Sequence, residues 1–309
     1  MKTVYLNNFM SSVVTELERN GQYSTAHVCG SVLRSVMTFD GDGLLLSGIT
    51  PLWLKAYEHY LLHKGEKGLE WNTISTYMRM LRAVYNRAVV RKLVPFVPHL
   101  FREVFTGRKA DHRRGLERGD MRQLLAEKDL DIISPGMEWA RACLELMFRF
   151  HGMPFVDLAH LRKSDLKDGY LTLRRRKTGM PLSARVDSRA MQLLERYRNR
   201  DDTSPYLLCF LDGSLEGMAA YRDYLRILRL LNSKLRALAL WRKVPGKVTS
   251  YTARHTWATA GKYCHIPIEI ISEGLGHASV TTTEGYMKGF GNSRMDRANK
   301  VIMNYIFES

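Results

Sequence analysis

Apolar residues return every three or four positions along almost the whole of this chain, and only between Gly169 and Val186 does the period fall to two. That pattern restricts the fold to packed helices with room for one small sheet. Val4, Phe9, Val13 and Leu17 share one face of a first helix that stops at Asn20-Gly21. A second runs from about Ser24 to Phe39 on Val28, Val32 and Val36, and Gly41-Asp42-Gly43 halts it. Thr50-Pro51 opens a third, with threonine as cap and proline at the first helical position. Asn72-Thr73 opens a fourth, with Ile74, Tyr77, Leu81, Val84 and Ala88 inward.

The segment TGRKADHRRGLERGD, residues 106–120, has almost no apolar residue and reads as a basic strap between two domains. The expected organisation is a helical domain at 1–105, a linker at 106–118 and a second domain at 119–309. In the second domain, helical spacing recurs near Asp120–Leu125, Met137–Phe150, Ser188–Asn199, Met218–Leu240, Thr252–Cys264 and Pro267–Leu275. Between them, Gly169–Arg174 and Met180–Val186 alternate as two strands joined by a turn at Lys177-Thr178-Gly179. The fold class is therefore mainly α: an N-terminal helical bundle plus an α-rich domain with a small antiparallel β-sheet.

Charge narrows the partner. The chain of 309 residues carries 47 Lys+Arg against 31 Asp+Glu, a formal charge of +16. Residues 1–110 hold 14 basic against 8 acidic side chains, which leaves 33 against 23 for the rest, so both domains are basic. A polyanion touching both is the simplest partner, and nucleic acid is the commonest. Candidate phosphate contacts are Arg79, Arg82 and Arg87 on the fourth helix, Arg108, Lys109, Arg113 and Arg114 in the strap, and Arg174 at the hairpin. For the helix arginines the plain alternative is a solvated face. The four cysteines, Cys29, Cys143, Cys209 and Cys264, form no close pair, which argues against a zinc site or a disulfide framework. No apolar run reaches membrane-span length and MKTVYLNNF lacks a signal-peptide core, so a soluble, cytoplasmic, nucleoid-associated protein without membrane contact is expected.

Three pieces of the second domain bear on chemistry. In Tyr251-Thr252-Ala253-Arg254-His255, with Thr249 or Ser250 as cap, the tyrosine, arginine and histidine fall at i, i+3 and i+4 on one helix face near its positive end. Leu275-Gly276-His277 ends a short helix on an imidazole. Tyr286 follows nine residues later, after Thr281-Thr282-Thr283-Glu284-Gly285. Singly each is ordinary: a tyrosine packs, a histidine after glycine caps a helix, an Arg-His pair faces solvent. The order and spacing of the set are what is specific.

With these residues the chain resembles the tyrosine recombinase (phage integrase) family over nearly its whole length, in a short bacterial form similar to tyrosine-type invertases and integrases without an arm-binding domain. The resemblance implies a core-binding domain followed by a catalytic domain, Tyr286 as the nucleophile forming a 3′-phosphotyrosine, and Arg254, His255 and His277 as donors to the phosphate. It implies Lys177 at the hairpin tip as general acid and an architectural Asp157 in GMPFVDLAHL. No cofactor or metal is implied, since the phosphotyrosine conserves the bond energy and no phosphate-binding GxxxxGK[ST] loop is present. The implied partners are double-stranded DNA with inverted-repeat sites, further copies of the chain (a dimer on a site, a tetramer in synapsis), and accessory DNA-bending proteins. A C-terminal helix over Arg294–Phe307, with Met295, Ala298, Val301, Ile302, Tyr305 and Ile306 at helical spacing, would dock on its own domain or on the neighbouring protomer.

Two positions depart from the family pattern. The first box carries arginine two residues after its glycine, and here Gly152-Met153 leads to Pro154. His151, Arg149 or a residue from elsewhere takes the second cationic position, with His151 ahead by location. Tyr251 stands where many members have histidine. An enzyme lacking one donor is slow rather than dead, so the readings carried forward are a DNA invertase or mobile-element integrase, a catalytically weak or inactive DNA-binding regulator, and a relaxing topoisomerase.

Overall fold

The computed structural model describes residues 3–109, 115–128, 132–277, 279–287, 299–300 and 303. The chain divides into two compact units, Met1–Asp111 with Glu216–Tyr221, and His112–Leu215 with Arg222–Ser309. Arg113 and Arg114 of the strap lie outside the described residues, as does the tail read over 294–307 apart from Asn299, Lys300 and Met303.

The first unit is built on α1 (Leu6–Arg19), α2 (Tyr23–Asp40), α3 (Pro51–His63) and α4 (Trp71–Val90). Its core holds Phe9, Val13, Leu17, Val32, Val36, Leu54, Leu61, Ile74, Leu81 and Val84, the inward positions that the helical period selects. Thr50 caps α3 by accepting from Trp53 N, with Pro51 at the first turn. Val4 precedes α1 instead of joining it: its carbonyl accepts from Leu46 N, while Leu6 N donates to Leu44 O. Asn72 is not a helix cap either. α4 starts one residue earlier, and Asn72 exchanges two hydrogen bonds with the backbone of Lys109 (3.1 and 2.9 Å), while Ser75 Oγ donates to Gly107 O at 2.6 Å. The first residues of the basic strap are thus fastened to α4, with Lys109 Nζ 4.2 Å from the centre of the Trp71 ring.

The second unit carries α5 (Arg118–Leu125), α6 (Pro135–Arg149), α7 (Phe155–Ala159), strands β1 (Leu166–Lys167), β2 (Tyr170–Arg174) and β3 (Pro181–Arg185), α8 (Ser188–Arg196), α9 (Gly217–Trp241) from Arg222 onward, α10 (Thr252–Tyr263), α11 (Ile268–Leu275) and α12 (Val280–Glu284). The strands form an antiparallel sheet in the order β1-β2-β3, with Leu171 opposite Ala184 and Leu173 opposite Leu182 on the inward face. Leu144, Leu146, Phe150, Leu158, Leu171, Leu194, Leu231 and Leu235 belong to its core. α6 is fully enclosed on its inner side, and its buried Arg141 is held by Glu145 at 2.9 Å. The same carboxylate takes Arg149, which also reaches Asp187 at 2.6 Å. α10 packs against both α6 and α11, and α11 against α12, so the helices that carry the chemical motif form one layer.

Candidate active site

Arg254 is the centre of the site. It sits in the first turn of α10, only 5% exposed, and its guanidinium donates to Gly152 O at 3.0 Å and to Leu275 O at 2.6 Å. Gly152 is required there by conformation and by space: its φ is +65°, and a Cβ would lie 2.9 Å from the Arg254 Cα. Arg254 Nη2 also lies 2.7 Å from His277 Nε2. Guanidinium groups only donate, so Nε2 accepts and the His277 proton sits on Nδ1, which donates to Thr283 Oγ1 at 2.8 Å.

The C-terminus of α11 explains why these groups meet. A helix leaves its last carbonyls without partners, and here all four are satisfied. The left-handed turn at Gly276 (φ +62°) lets His277 N donate to Ser272 O and Gly276 N to Glu273 O. The remaining two are taken by arginines: Leu275 O by Arg254 and Gly274 O by Arg175 Nη2 at 3.1 Å. Cations are favoured at this negative end of the helix dipole. Gly276 also makes room, since a Cβ there would fall 2.3 Å from Arg175 Nε.

Arg175 is a residue beside the site that the sequence reading did not single out. It follows β2, is 4% exposed, and lies with Nη1 3.8 Å from Asp157 Oδ2. Asp157 on α7 accepts from Arg176 N at 3.0 Å through its other oxygen, so one buried carboxylate pins the hairpin turn that displays Lys177. Burial raises the Asp157 pKa, and the Arg176 N–H and the Arg175 guanidinium oppose the rise. Lys177 itself is exposed at the turn.

Tyr286 follows α12, and its backbone N–H donates to Thr283 O at 2.9 Å. Its ring lies between two imidazoles, with centroids 4.7 Å from His255 and 5.0 Å from His277, and the Arg254 guanidinium carbon is 5.3 Å from its centre. His255 Nδ1 lies 3.2 Å from Tyr286 O. A small apolar cluster of Ala258, Ile271, Leu275 and Met287 seats the tyrosine.

Other expected site residues lie elsewhere. Tyr251 is 44% exposed and is itself the N-cap of α10, where Thr249 or Ser250 was expected. Thr249 stands two residues ahead, its hydroxyl accepting from Tyr251 N at 3.3 Å and its own N–H donating to Thr252 Oγ1, so it braces the start of the helix from outside, while Ser250 N donates to Asn232 Oδ1. His151, at φ +55°, turns its ring onto Trp257 at 5.6 Å, in a cavity of about 370 Å³ shared with Pro181, Leu182 and Glu273. Arg149 is engaged by Glu145 and Asp187. Of the expected DNA contacts, Arg82, Arg108, Lys109 and Arg174 are exposed, Arg79 donates to Ser75 O, and Arg87 pairs with Glu16 at 3.6 Å.

The electrostatics follow from the crowding of cations. Burial, then Arg254, Arg175 and Lys177, push the His277 pKa down to about 4. Burial and then Arg254 lower that of Arg175 to about 10. His160, whose Nδ1 donates to Val156 O at 2.7 Å, is pushed down to about 4 by burial and Arg176. An unfolded imidazole titrates near ~6.5, so between about 6.5 and 4 the unfolded chain binds more protons than the folded one. The stability these two histidines confer is complete above that window and is lost as pH falls through it. The urea midpoint is expected to drop between pH 7 and pH 5, and to drop less in His160→Asn. Equal drops in the two proteins would contradict the assignment.

Thr283 gives a second expectation. It is fully buried and fixes both the His277 tautomer and the start of the Tyr286 turn. Thr283→Val leaves a buried Nδ1–H unpaired, a cost of about 1–3 kcal/mol, so strand cleavage should slow by roughly 10–100-fold. Thr283→Ser should restore most of it. A serine variant as slow as the valine variant would assign the residue to packing instead.

Comparison with known proteins adds the ancestry. Residues 5–101 match the phage integrase SAM-like domain, and residues 114–290 match the phage integrase family. A tyrosine recombinase, XerA of Pyrococcus furiosus, is 31% identical over 140 residues, which is 44% of this chain and 46% of that protein, so the match spans about half of the relative's length. Among solved structures, the Tn1549 transposon integrase in complex with circular intermediate DNA superposes with a TM-score of 0.65 at 15% identity, covering 96% of this chain and 99% of the other. A lambda integrase tetramer bound to a Holliday junction gives 0.63 at 16% identity, covering 93% and 78%. At those identities the structures share the fold.

Proposed function

The chain belongs to the phage integrase family, and from that premise we propose that it is a site-specific DNA recombinase that cuts and rejoins duplex strands through a 3′-phosphotyrosine on Tyr286. The observation that carries this reading is the placement of Tyr286 between His255 and His277 and against a buried Arg254. In the reaction, Tyr286 Oη bonds to phosphorus as the P–O5′ bond breaks. The Arg254 Nη2 that now serves His277 turns to a non-bridging oxygen, where preorganised donors match the charge that develops. The phosphate's charge offsets the cations that depress His277, which then takes the phenolic proton on Nε2, keeps it as imidazolium and hydrogen-bonds a phosphate oxygen through it until the reverse step returns the proton to the tyrosine. Lys177 protonates O5′ and is replenished from solvent. The reverse attack by a new 5′ hydroxyl rejoins the strand, so the cycle conserves its bond energy.

The exposed Arg82, Arg108, Lys109 and Arg174 suit phosphate contacts that set grip without reading sequence. The substrate under this reading is a pair of inverted-repeat sites, one protomer on each half-site and four in the synapse, with the tail over Arg294–Phe307 docking on the neighbouring protomer. Inversion and mobile-element integration both use this chemistry and differ in how the two sites are placed.

The test begins with a binding site selected by the protein from a random-sequence duplex pool. Half-sites nicked at successive positions near that site are then incubated with the protein, so that the short 5′ fragment diffuses away after cleavage. A denaturant-resistant protein–DNA adduct is expected at one nick position. Tight binding with no adduct at any position would overturn the enzyme reading in favour of a DNA-binding regulator. Exchange between two labelled sites separates recombination from relaxation.

A further inference from the structure

We propose that Arg175 is the second phosphate-binding arginine of this site, standing in for the arginine that the first box lacks at Pro154. The inference rests on the strand-transfer reading above and assigns a residue to the position that the reading leaves empty.

The argument starts from charge. Arg175 and Arg254 are both buried, and consecutive carbonyls of the α11 C-terminus, Gly274 O and Leu275 O, tether them side by side. Asp157, at 3.8 Å from Arg175, is the carboxylate within ion-pair distance of this pair among the described residues. His277, 2.7 Å from Arg254 Nη2, is held neutral by burial and by the same cations. Two guanidiniums against one carboxylate leave a buried excess of one positive charge. Such an excess is costly unless an anion completes the site.

Hydrogen bonding points the same way. Arg175 Nε is buried with no partner among the described residues, although buried polar atoms are nearly always paired. Nη2 is committed to Gly274 O and Nη1 stands off from Asp157 at a distance too long for a hydrogen bond. The guanidinium therefore has donor capacity to spare, beside an Arg254 whose Nη2 is engaged by an imidazole that phosphate can displace. A phosphodiester has two non-bridging oxygens, and two arginines offer one fork for each. His151 does not compete for the role: its ring rests on Trp257, and burial and then Arg175 lower its pKa.

The backbone makes the placement rigid. Arg175 N donates to Met180 O at 2.9 Å and Arg175 O accepts from Gly179 N at 2.8 Å, which closes the turn that carries Lys177 two residues on. One turn thus delivers a phosphate clamp and a general acid together.

The experiment uses the full chain and the nicked half-site on which the wild type forms its adduct, with either the ordinary phosphodiester or a methylphosphonate at the cleaved position. Arg175→Ala should form adduct ~10²–10³-fold more slowly than wild type on the phosphodiester. On the methylphosphonate, which lacks one of the charged oxygens, the gap between variant and wild type should shrink to roughly tenfold or less. An Arg175→Ala variant within about threefold of wild type on the phosphodiester would overturn the proposal while leaving the recombinase reading intact. So would an equal deficit on both substrates, since a residue that only props the hairpin is needed whatever the phosphate's charge. If Arg175→Ala is unfolded, Arg175→Gln gives the same comparison, because it removes the charge while keeping a long polar side chain that can still reach Gly274 O. Failure of the wild type itself to form adduct would be the failure of the underlying reading.

Discussion

Phenylalanine in place of Tyr286 should abolish the covalent DNA adduct while leaving site binding within about threefold of wild type, because grip comes from many phosphate contacts at once. The change deletes one hydroxyl, whose partner is the Arg254 guanidinium, and keeps the ring. The contacts of that ring with His255 and His277, the backbone bond to Thr283 O, and the packing on Leu275 and Met287 do not involve the phenolic oxygen. Arg254 stays tethered to Gly152 O and Leu275 O without the hydroxyl, so the fold should be kept, which thermal unfolding of the variant checks, and loss of adduct then reports loss of the nucleophile. A labelled half-site resolved on a denaturing gel gives the answer directly. An adduct that persists in Tyr286→Phe would move the nucleophile elsewhere; Tyr251, exposed at the α10 N-cap, is the phenol to examine next.

Much of the fold was legible because helix packing selects positions every three or four residues, and the inward sets of the first four helices were written that way. Elements set by tertiary contacts were not legible. α7 spans Phe155–Ala159 and β1 spans Leu166–Lys167, each too short to establish a period. Asn72 has the chemistry of a cap but is drawn off by the backbone of Lys109, 37 residues away. At α10, Thr249 is a good cap by type and does accept from Tyr251 N, but the helix begins only after Tyr251, two residues beyond it.

The site divides in the same way. Arg254, His255, His277 and Tyr286 stand in short motifs whose spacing is local, so their grouping was legible, whereas Tyr251 in the same motif lies exposed at the helix start. Arg175 lies in the run Arg174-Arg175-Arg176-Lys177, where every member looks like a solvated turn cation. Its burial is decided by partners on other elements, Gly274 O and Asp157, and no spacing rule within the run selects it over its neighbours. Thr283 is hidden by the same ambiguity in Thr281-Thr282-Thr283, since only contact with His277 distinguishes the third hydroxyl. His151 was favoured by its adjacency to Gly152, but the two peptide positions share positive φ and diverge in direction, the carbonyl of one reaching Arg254 and the ring of the other reaching Trp257.

Arg254 is the residue where structure and chemistry are hardest to separate, and two variants separate them. Arg254→Ala removes the donors to Gly152 O, Leu275 O and His277 Nε2 together. Two buried carbonyls lose their partners, at about 1–3 kcal/mol each, so the melting temperature should fall along with the cleavage rate, which should drop by ~10³-fold or more with the loss of more than one phosphate donor. Arg254→Lys keeps the charge at the α11 C-terminus, where a cation is favoured, and retains one reach toward Leu275 O. Its melting temperature should stay much closer to wild type. The planar fork is gone, however, and a single ammonium cannot hold the α11 carbonyl and grip a phosphate oxygen bidentately. Cleavage by the lysine variant should therefore still be ~10²-fold slower or worse. Single-turnover cleavage measured beside thermal unfolding reads both quantities on the same samples. A lysine variant that cleaves at the wild-type rate would show that charge alone suffices at this position, and the two-fork account of phosphate binding by Arg254 and Arg175 would fall with it.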